Sequence, residues 1–374
     1  MYMLSSLKET AKTKLHQYNE SKYEKDLRKN FKRKNLKWCD KSFTKEQENE
    51  IQDFYIKNLG YKIDLSYHTY WYSRTGIFSP LFVPSSIYKA HVVGRVNDMR
   101  MKDAYIDKNQ YENFFTEINH PKSILKCING YFYHENSPVD DQTAIELCSN
   151  LNDVIIKPSL DSVHGTKVIS ISTKNGELHN GKRIEDLFKS YGTNFIVQER
   201  INQHERMSAL NPTSVNTVRL LTYRRKNNIE LLYSVIRIGR KGKIIDNESS
   251  GGVTTKINRN GRLEKKLYAP PSEGVLDRTD SGIIVEGYQI PSYEKVVNIV
   301  KTLHYKLPYF DLAGWDIAIA ENGEPIFIEW NARTELSQTA AGPAFGEYTE
   351  EILYKARTNP TTRYFIIGKK GYND

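Results

Sequence analysis

The chain has 374 residues, of which 39% are hydrophobic and 26% charged, as is usual for a soluble globular protein with a large core. No apolar run in the sequence approaches the roughly 18–20 residues that a membrane-spanning helix needs. Three cysteines, Cys39, Cys127 and Cys148, are too few and too widely spaced to predict a disulfide framework or a zinc site.

The positive charge is concentrated near the N-terminus. The net charge is +9, and residues 1–45 alone hold 13 Lys and Arg against 5 Asp and Glu. The remaining residues hold 41 of the 54 basic and 40 of the 45 acidic side chains, so the body of the protein is nearly neutral. Because the body shows neither a basic excess nor a recognisable nucleic-acid module, we expect no nucleic-acid partner.

The first residues lack the apolar stretch of a secretory signal, so we expect a cytoplasmic protein. Apolar residues recur there at helical spacing, with lysines between them: Leu4, Leu7, Ala11, Leu15 and Tyr18. One interpretation is a basic amphipathic helix on an anionic membrane; the other is a helix packed on its own domain with a solvated basic face. We favour the second, because the apolar stripe is thin and no Trp or Phe precedes Phe31.

The next segments favour helices. Residues 43–60 predict a helix with Thr44 as N-cap and Gly60 at its end. Residues 67–88 are rich in aromatic side chains and interrupted by Gly and Pro, which predicts packed irregular structure. Residues 107–118 predict a helix that Asp107 caps.

From about residue 120 onward, apolar β-type runs are joined by turns. One helical stretch, at residues 293–307, interrupts them. This layout predicts an α+β fold of strand pairs and a few helices. The runs are SILKCI, DVIIKP, KVISIS, NFIVQERI, NTVRLLTYR, IELLYSVIRIG, DIAIA and PIFIEW.

Two carboxylates lie within the apolar pattern of GWDIAIAENGEPIFIEWN, residues 314–331. Asn322-Gly323 is a strong hairpin signal, and a two-residue loop at this point places Asp316 directly opposite Glu329. Their Cβ atoms would then lie about 5 Å apart on one face of the sheet, and Asn331 would share that face.

Opposed carboxylates in an apolar setting repel each other unless a cation lies between them. Mg²⁺ binds oxygen ligands, often one or two carboxylates together with substrate phosphates. Asp316, Glu329 and Asn331 therefore predict a site for one or two Mg²⁺ ions that bridge nucleotide phosphates. The alternative is that both acids point to solvent, with Ile328 on the core side. We favour the metal site, because Phe327 would share the acidic face.

A lysine and a loop form a second group, in residues 153–172. Lys157 ends an apolar strand at Pro158. The loop that follows contains small hydroxylated residues and Gly165, which let backbone N–H groups approach phosphate oxygens. Lys supplies a point charge to the same oxygens. A lysine beside a turn is common on protein surfaces and by itself is weak evidence for a phosphate site. The interpretation is supported here by the acidic pair, Asp316 and Glu329, further along the chain.

The order of these parts resembles the ATP-grasp superfamily. DKN, VIIKPS with its loop, FIVQERI, and the hairpin with Asp316 and Glu-x-Asn follow one another in that order. VIIKPSLDSVHGTKV is similar to the lysine-and-lid segment of D-alanine–D-alanine ligases. The wider pattern resembles the sugar-transfer-associated ATP-grasp proteins encoded among bacterial polysaccharide genes, over roughly residues 40–350. Its motifs are TKEQENEIQDFY, YHTYW, TGIFSPLFVP, SVNTVRLLT and SSGGV.

The resemblance implies an ATP-grasp fold, in which two α+β subdomains clamp ATP. It implies a helical, aromatic-rich region at residues 1–105, a subdomain with the lysine and the lid loop at 106–200, and a C-terminal subdomain with the Mg²⁺ site at 201–374. ATP and Mg²⁺ are the implied ligands.

The resemblance also implies roles for single residues. Lys108 and Lys157 would hold the α- and β-phosphates, and Arg219 and Arg237 would face the γ-phosphate and an acyl phosphate. Asp316, Glu329 and Asn331 would bind Mg²⁺. In the lid, residues 159–166, the implied contacts are Ser162, Val163, His164 and Gly165. The adenine hinge and the ribose contact would be Gln198, Glu199, Arg200, Ile201 and Glu205.

This sequence departs from the family pattern at three points. The lid has one glycine, Gln198 stands where D-alanine–D-alanine ligases usually have Glu, and ARTEL follows Asn331 in place of a Pro-Gly ending. These departures concern the lid, the adenine contacts and the acceptor pocket.

The implied activity is ATP-dependent ligation of a carboxylate and an amine through an acyl phosphate. The implied substrate is a sugar-linked or small carboxylate used in bacterial surface polysaccharide synthesis. Two alternatives stay open: a phosphotransferase that stops after transfer of the γ-phosphate, and a non-catalytic nucleotide-binding scaffold.

Overall fold

The computed structural model describes residues 2–160, 167–244, 246 and 250–361, with the backbone alone for residues 2–13. The N-terminal part is helical. A π-helical turn, Tyr88–Val92, and 3₁₀ turns at Leu36–Trp38 and Met99–Ala104 connect its helices. The helices are α1 Tyr2–Asn35, α2 Lys45–Leu59, α3 Ser66–Thr75, α4 Ser85–Ile87 and α5 Val93–Val96.

Helix α2 begins and ends where the sequence predicts. The Thr44 hydroxyl accepts a hydrogen bond from the backbone N–H of Gln47, whose side chain accepts one from the backbone N–H of Thr44. Gly60 ends the helix in the left-handed conformation at φ +87°. The prediction of a capped helix is therefore confirmed.

The prediction of irregular structure at residues 67–88 is wrong for residues 67–75, which belong to helix α3, and for residues 85–87, which form helix α4. Tyr67 and Trp71, four residues apart, share one helix face and are buried. The Trp71 ring stacks on Phe82, with ring centroids 4.9 Å apart. The helix contains neither Gly nor Pro; Gly76, Pro80 and Pro84 follow it, and the irregular structure is confined to residues 76–84.

The predicted helix at 107–118 is also shorter than expected. The Asp107 carboxylate accepts a hydrogen bond from the backbone N–H of Asn109, as predicted, but it caps a 3₁₀ turn, Lys108–Gln110. Helix α6, Tyr111–Phe114, follows and ends there. Phe115 is fully buried beside Phe327, with ring centroids 4.8 Å apart, so the chain turns into the core at this point.

A six-stranded sheet, which we call the lysine sheet, carries the first predicted strands. Its strands are β1 Ser123–Ile128, β2 Tyr131–His134, β3 Ser137–Val139, β4 Val154–Pro158, β5 Ile169–Ile171 and β8 Phe195–Glu199. They lie in the order β3-β2-β1-β8-β4-β5, with neighbours antiparallel. Beside this sheet lie α7 Asp141–Leu147, α8 Ile184–Tyr191, and a two-stranded ribbon of β6 Thr173–Lys174 and β7 Glu177–Leu178.

A seven-stranded sheet, the acidic sheet, holds the remaining strands in the order β13-β12-β11-β10-β9-β14-β15. They are β9 Thr217–Arg225, β10 Asn228–Ile238, β11 Val253–Lys256, β12 Leu267–Tyr268, β13 Val275–Leu276, β14 Leu312–Ile319 and β15 Pro325–Asn331. The helices of this half are α9 Glu205–Leu210, α10 Tyr293–His304, α11 Gln338–Ala341 and α12 Thr349–Thr358, with a 3₁₀ turn at Gly346–Tyr348.

Hydrophobic cores cover both faces of the acidic sheet. On one face, Trp315 and Ile317 of β14 pack with residues of α10. On the other, Leu312 of β14 packs with Ile51 and Tyr55 of helix α2. Every residue of β14 is therefore buried. The division of the chain at residues 105 and 200 remains a prediction.

The register of the β14–β15 hairpin places Asp316 opposite Glu329, as the sequence predicts. The loop has three residues, 321–323, and not two; it ends in Gly323 at φ +82°. The resulting shift of one residue is reversed by a bulge, where Ile328 is the extra residue between Phe327 and Glu329.

The bulge corrects the predicted faces of this strand. Phe327 lies in the core and not on the acidic face, whereas Ile328 turns from the core to line a cavity together with Glu329. A bulge places two consecutive side chains on one side of a strand, and the period-2 pattern of the sequence does not show where it occurs.

Helix α1 packs on the body through a charged face. The buried carboxylate of Glu20 accepts two hydrogen bonds of 2.7 Å from Arg95, and Glu24 accepts one of 2.9 Å from Ser86. The favoured prediction of a packed helix with a solvated basic face is consistent with these contacts. The predicted apolar stripe is not the packed face, however, because Leu15 and Tyr18 are 48% and 64% exposed.

In the described part of the chain, none of the helices combines the length and the apolarity that crossing a bilayer requires.

Candidate functional site

A cavity of about 280 Å³ is lined by residues of both sheets and of the N-terminal helical part. From the lysine sheet and its flanks come Lys108, Pro121, Ile155, Lys157, Val168, Gln198, Glu199 and Ile201. From the acidic sheet and its flanks come Val215, Thr217, Arg219, Arg237, Ile244, Asp246, Asp316, Ile328, Glu329, Asn331, Arg333, Thr334 and Glu335. Lys89, from the π-helical turn, completes the lining.

A network of buried charges crosses the floor of this cavity. Arg219 on β9 donates two hydrogen bonds to the two carboxylate oxygens of Asp316 on β14, at 2.8 and 2.7 Å. Arg237 on β10 lies 3.5 Å from Asp316 and donates to Asp246 at 2.6 Å. The hydroxyl of Thr217 also donates to Asp246, at 2.5 Å. Three adjacent strands and the loop after β10 thus hold two acids and two guanidinium groups in one connected cluster.

The charge on Asp316 is stabilised by this network. Its side chain is 1% exposed, and such burial alone would raise the pKa of the carboxyl group. The guanidinium groups of Arg219 and Arg237 outweigh the burial and lower the pKa to about 2. Asp316 is therefore an anion at neutral pH.

The three predicted oxygen donors lie together. Glu329 is the direct cross-strand neighbour of Asp316, and the Asn331 amide nitrogen lies 3.5 Å from a Glu329 oxygen. On the other side, the Lys108 ammonium is 3.7 Å from Glu329. Among the described residues, no group of three or more His, Cys, Asp or Glu side chains has metal-binding geometry.

This donor set fits Mg²⁺ in its chemistry. Two carboxylates and one amide are hard oxygen ligands, and Mg²⁺ typically takes only one or two protein carboxylates, with water and phosphate oxygens for the rest. Arg219 and Arg237 already stabilise the charge of Asp316, so the fit rests on the hard oxygen donors of these residues and not on repulsion between the two acids. The residues present therefore fit the ion.

Lys157 lies at the opposite side of the cavity, at the end of β4. Burial and the neighbouring charge of Lys108 lower the pKa of its ammonium group, Glu329 partly offsets both, and the resulting pKa is about 8. Within the described residues, no carboxylate lies at salt-bridge distance from Lys157. A half-buried cation in this setting is suited to binding an anion that enters the cavity.

The predicted adenine hinge lies at the end of β8. Gln198, Glu199 and Ile201 line the cavity, with the apolar side chains of Pro121 and Ile155 beside them. The Gln198 amide donates to the carbonyl of Pro121 at 3.2 Å, which fixes its orientation. The backbone N–H of Glu199 is already bonded to the carbonyl of Lys122, at 2.9 Å.

Two predicted residues lie away from the cavity lining. The Arg200 side chain turns to Asp153 and to the carbonyl of Thr213, at 2.7 and 3.0 Å. Glu205 is exposed in the first turn of α9. Neither side chain is therefore positioned to contact a nucleotide in the cavity. The four predicted lid residues, Ser162, Val163, His164 and Gly165, lie outside the described residues.

Other residues of the lining are not evident from the sequence. Lys89 pairs with Glu335, and Arg333 lies beside them in the lining. The loop that carries Arg333 and Glu335 is held by Asn97, whose amide donates to the carbonyls of Leu312 and Ala332 at 2.8 and 2.7 Å. Only the ARTEL sequence after Asn331, which departs from the family pattern, pointed to this end of the cavity.

No curated protein sequence matches the chain. Among solved structures, the L-amino acid ligase from Bacillus licheniformis is 13% identical over 70% of this chain and 49% of that chain, with a TM-score of 0.40. VanG D-Ala:D-Ser ligase from Enterococcus faecalis is 14% identical over 67% and 60% of the two chains, with a TM-score of 0.39. D-alanine–D-alanine ligase from Bacillus anthracis is 12% identical over 70% and 67%, also with a TM-score of 0.39.

The protein thus spans about half the length of the first of these ligases. The family description that matches the sequence is sugar-transfer associated ATP-grasp, and the match covers residues 88–351, well over half of the chain. The chain therefore belongs to the sugar-transfer associated ATP-grasp family and has the ATP-grasp fold that the order of its motifs predicts.

Proposed function

We propose that the protein is an ATP-dependent ligase that joins a carboxylate to an amine through an acyl phosphate. The observation that carries the proposal is that one cavity brings together Lys157 from one sheet and the oxygen donors Asp316, Glu329 and Asn331 from the other. Such a cavity offers cations to a triphosphate on one side and ligands to its metal ion on the other.

ATP would lie across the cavity from hinge to acidic cluster. The apolar surfaces of Pro121, Ile155 and Ile201 would cover the adenine ring, and Lys108 and Lys157 would offset the charge of the phosphates. Asp316, Glu329 and Asn331 would hold Mg²⁺, which when bound neutralises charge on the phosphate oxygens.

In the first step, a carboxylate oxygen of the substrate forms a bond to the γ-phosphorus, and the bond from that phosphorus to the β–γ bridging oxygen breaks. The products are an acyl phosphate and ADP. The amine nitrogen then attacks the acyl carbon, loses a proton, and phosphate leaves. No protein nucleophile is required, so alignment and charge stabilisation account for the catalysis.

Arg219 and Arg237 are the residues that we expect to act on the transferred phosphoryl group. Both line the cavity beside Asp316, and a guanidinium group can bridge two oxygens at once. Their pairing with Asp316 and Asp246 holds them in place before any ligand binds. We also propose that the carboxylate is sugar-linked or a small acid used in bacterial surface polysaccharide synthesis, in keeping with the description of the family.

The activity is tested by ADP release from ATP and Mg²⁺ in the presence of uronic-acid nucleotides and amines. We expect ADP only when a carboxylate is present, and an amide product by mass spectrometry when the amine is added. A stable product that is one phosphate heavier, without amine incorporation, would show a phosphotransferase. No ADP in any pairing, with ATP bound normally, would contradict the proposal.

The metal site is tested by calorimetry of ATP binding with the Glu329→Gln variant. We expect wild-type binding to require Mg²⁺ and the variant to lose that requirement together with about 100-fold in affinity, because one of two carboxylate ligands is lost. Glu324→Gln is the matched control: it lies in the same hairpin, pairs with Lys295 at 2.7 Å, and is outside the cavity lining.

A further inference from the structure

Helix α1 has two faces of different character along residues 14–35. The inner face packs on the body through Glu20 and Glu24, and through Phe31, whose ring stacks on Tyr67 with centroids 3.6 Å apart. Two of the acidic residues of the helix are therefore directed inward, where they pair with Arg95 and Ser86. The opposite face is left with basic and apolar side chains.

We define this opposite face as the outer face of α1. With 3.6 residues per turn, its members fall within an arc of about 100°, and all of them are exposed. The arc contains no acidic residue; Asp26 lies at its edge. The members of the outer face are Lys14, Leu15, Tyr18, Lys22, Lys25, Lys29 and Arg33.

The apolar members are the exposed end of the stripe that the sequence shows at helical spacing. Leu15 is 48% and Tyr18 64% exposed. In the sequence, the same spacing continues toward the N-terminus through Leu4, Leu7 and Ala11. The outer face is thus apolar toward its N-terminal end and basic toward its C-terminal end, where the exposed Trp38 follows in the next turn.

A helix face of this composition matches the surface of an anionic membrane. Lysine and arginine side chains attract anionic headgroups, while leucine and tyrosine insert at the level where headgroups meet acyl chains. Residues 14–33 extend over about 30 Å, a straight surface suited to a flat partner. A nucleic acid would satisfy the basic side chains but would leave Leu15 and Tyr18 against phosphate, so the membrane accounts for more of the face.

We propose that the outer face of α1 docks the protein on the anionic headgroup surface of a phospholipid membrane. The inner face of the helix also reaches the cavity, since the Tyr23 hydroxyl accepts a hydrogen bond of 3.4 Å from Arg333. A helix is about 10 Å across. Docking therefore holds the Arg333 end of the cavity about one helix diameter from the bilayer.

The test is flotation of the full chain with vesicles of phosphatidylcholine that contain about one quarter phosphatidylglycerol, compared with pure phosphatidylcholine vesicles. We expect binding to the anionic vesicles alone. The variant Lys22→Gln/Lys25→Gln/Lys29→Gln/Arg33→Gln should lose about 100-fold or more in partitioning, given what each basic residue contributes at an anionic surface.

A matched control removes the same charge elsewhere. Lys174, Lys182, Lys226 and Lys265 are exposed and distant in sequence from α1, and their replacement by Gln should leave vesicle binding within about twofold of wild type. Thermal unfolding should be the same for all three proteins, because all of the substituted side chains are exposed.

A second variant, Leu15→Ser/Tyr18→Ser, keeps every charge and should lower vesicle binding about tenfold, since two apolar side chains no longer insert. Equal recovery of wild type and the quadruple variant would overturn the proposal. So would the absence of wild-type binding to anionic vesicles, or binding to single-stranded RNA without binding to vesicles. ATP binding by the same proteins is measured in parallel. A wild-type protein that binds anionic vesicles but not ATP would contradict the proposed ligase activity and leave the docking proposal intact.

Discussion

The two sheets that line the cavity differ in how their charged side chains are paired. In the acidic sheet, Asp316 is bonded to Arg219 and lies beside Arg237, which is bonded to Asp246. In the lysine sheet, Lys157 has no carboxylate at salt-bridge distance within the described residues. One half of the site is neutralised within the folded protein, whereas in the other half no carboxylate of the described residues pairs with Lys157, and the charge of Glu329 offsets it only in part.

The difference follows from packing. Strand β14 is buried along its whole length between two hydrophobic cores, where an unpaired ion would cost several kcal/mol. Strand β4 is only partly buried at Lys157 and Pro158, so an ammonium group can remain there at the cost of a lowered pKa. The acidic half is therefore a preformed platform, and the lysine half is completed by the phosphates of its ligand.

The largest effect is expected from Asp316→Asn. The substitution leaves Arg219 and Arg237 buried without the charge that pairs with them, so the free energy of unfolding should fall by about 3–5 kcal/mol. Urea denaturation measures it. Asp277→Asn is the control: this exposed carboxylate pairs with the neighbouring Arg278 at 3.1 Å, and its loss should leave the free energy of unfolding unchanged within experimental error. Equal stability of the two variants would show that the acidic cluster is not a preformed platform.

The second largest effect is expected from Lys157→Met, which, unlike Asp316→Asn, should not lower the free energy of unfolding. Removing a half-buried cation that has no carboxylate at salt-bridge distance among the described residues leaves the free energy of unfolding unchanged or raises it. ATP affinity should fall about 10- to 100-fold, because a charged contact to phosphate is lost. Calorimetry and urea denaturation separate the two outcomes, with the exposed Lys174→Met as control. A large loss of stability with unchanged ATP affinity would mean that Lys157 is a structural residue.

A smaller effect is expected from pH. The pKa of Lys157 is about 8 in the folded protein, with Lys108 and Glu329 facing it, and about 10.4 in an unfolded chain. Between these values the unfolded chain binds more protons, so this residue makes the free energy of unfolding rise with pH across that window. ATP affinity should fall about five- to tenfold from pH 7.5 to 9, as the ammonium group loses its charge. Both trends should be absent from Lys157→Met.

The pairing of Asp316 with Glu329 could be predicted from the sequence, although the loop that produces it differs from the predicted loop. A two-residue loop gives that register without a bulge. The protein reaches it with a three-residue loop that ends in Gly323 and a bulge at Ile328. The longer loop shifts the pairing of β15 by one residue as far as Phe327, and the bulge restores the predicted pairing from Glu329 onward. The side chains of Phe327 and Ile328 therefore lie on the opposite faces from those that the sequence predicts.

Other parts of the cavity could not be predicted in this way. Lys89 comes from a π-helical turn that is distant in sequence from the lysine, hinge and hairpin motifs, and Asp246 follows strand β10 in a loop. Their places depend on how the N-terminal helices and the acidic sheet pack together, which periodicity along one strand does not determine. Arg219 and Arg237 were predicted to face phosphates; their pairing with Asp316 depends on the lateral order of β10, β9 and β14.

The smallest effect is expected where the two halves of the site are joined. The Arg200 guanidinium group bonds Asp153, next to strand β4 of the lysine sheet, and the carbonyl of Thr213, ahead of strand β9 of the acidic sheet. Arg200→Lys should lose one of these contacts, because an ammonium group cannot span both acceptors in the same geometry. The free energy of unfolding should fall by about 1 kcal/mol.

ATP affinity should change by less than about threefold in Arg200→Lys, because this side chain is not in the cavity lining and only the backbone of the hinge would contact adenine. Calorimetry under the conditions used for Lys157→Met allows a direct comparison. A loss of tenfold or more would mean that ATP binding depends on how the two sheets are held relative to each other. The contrast between a preformed acidic half and a ligand-completed lysine half would then be incomplete, since the junction between them would itself contribute to binding.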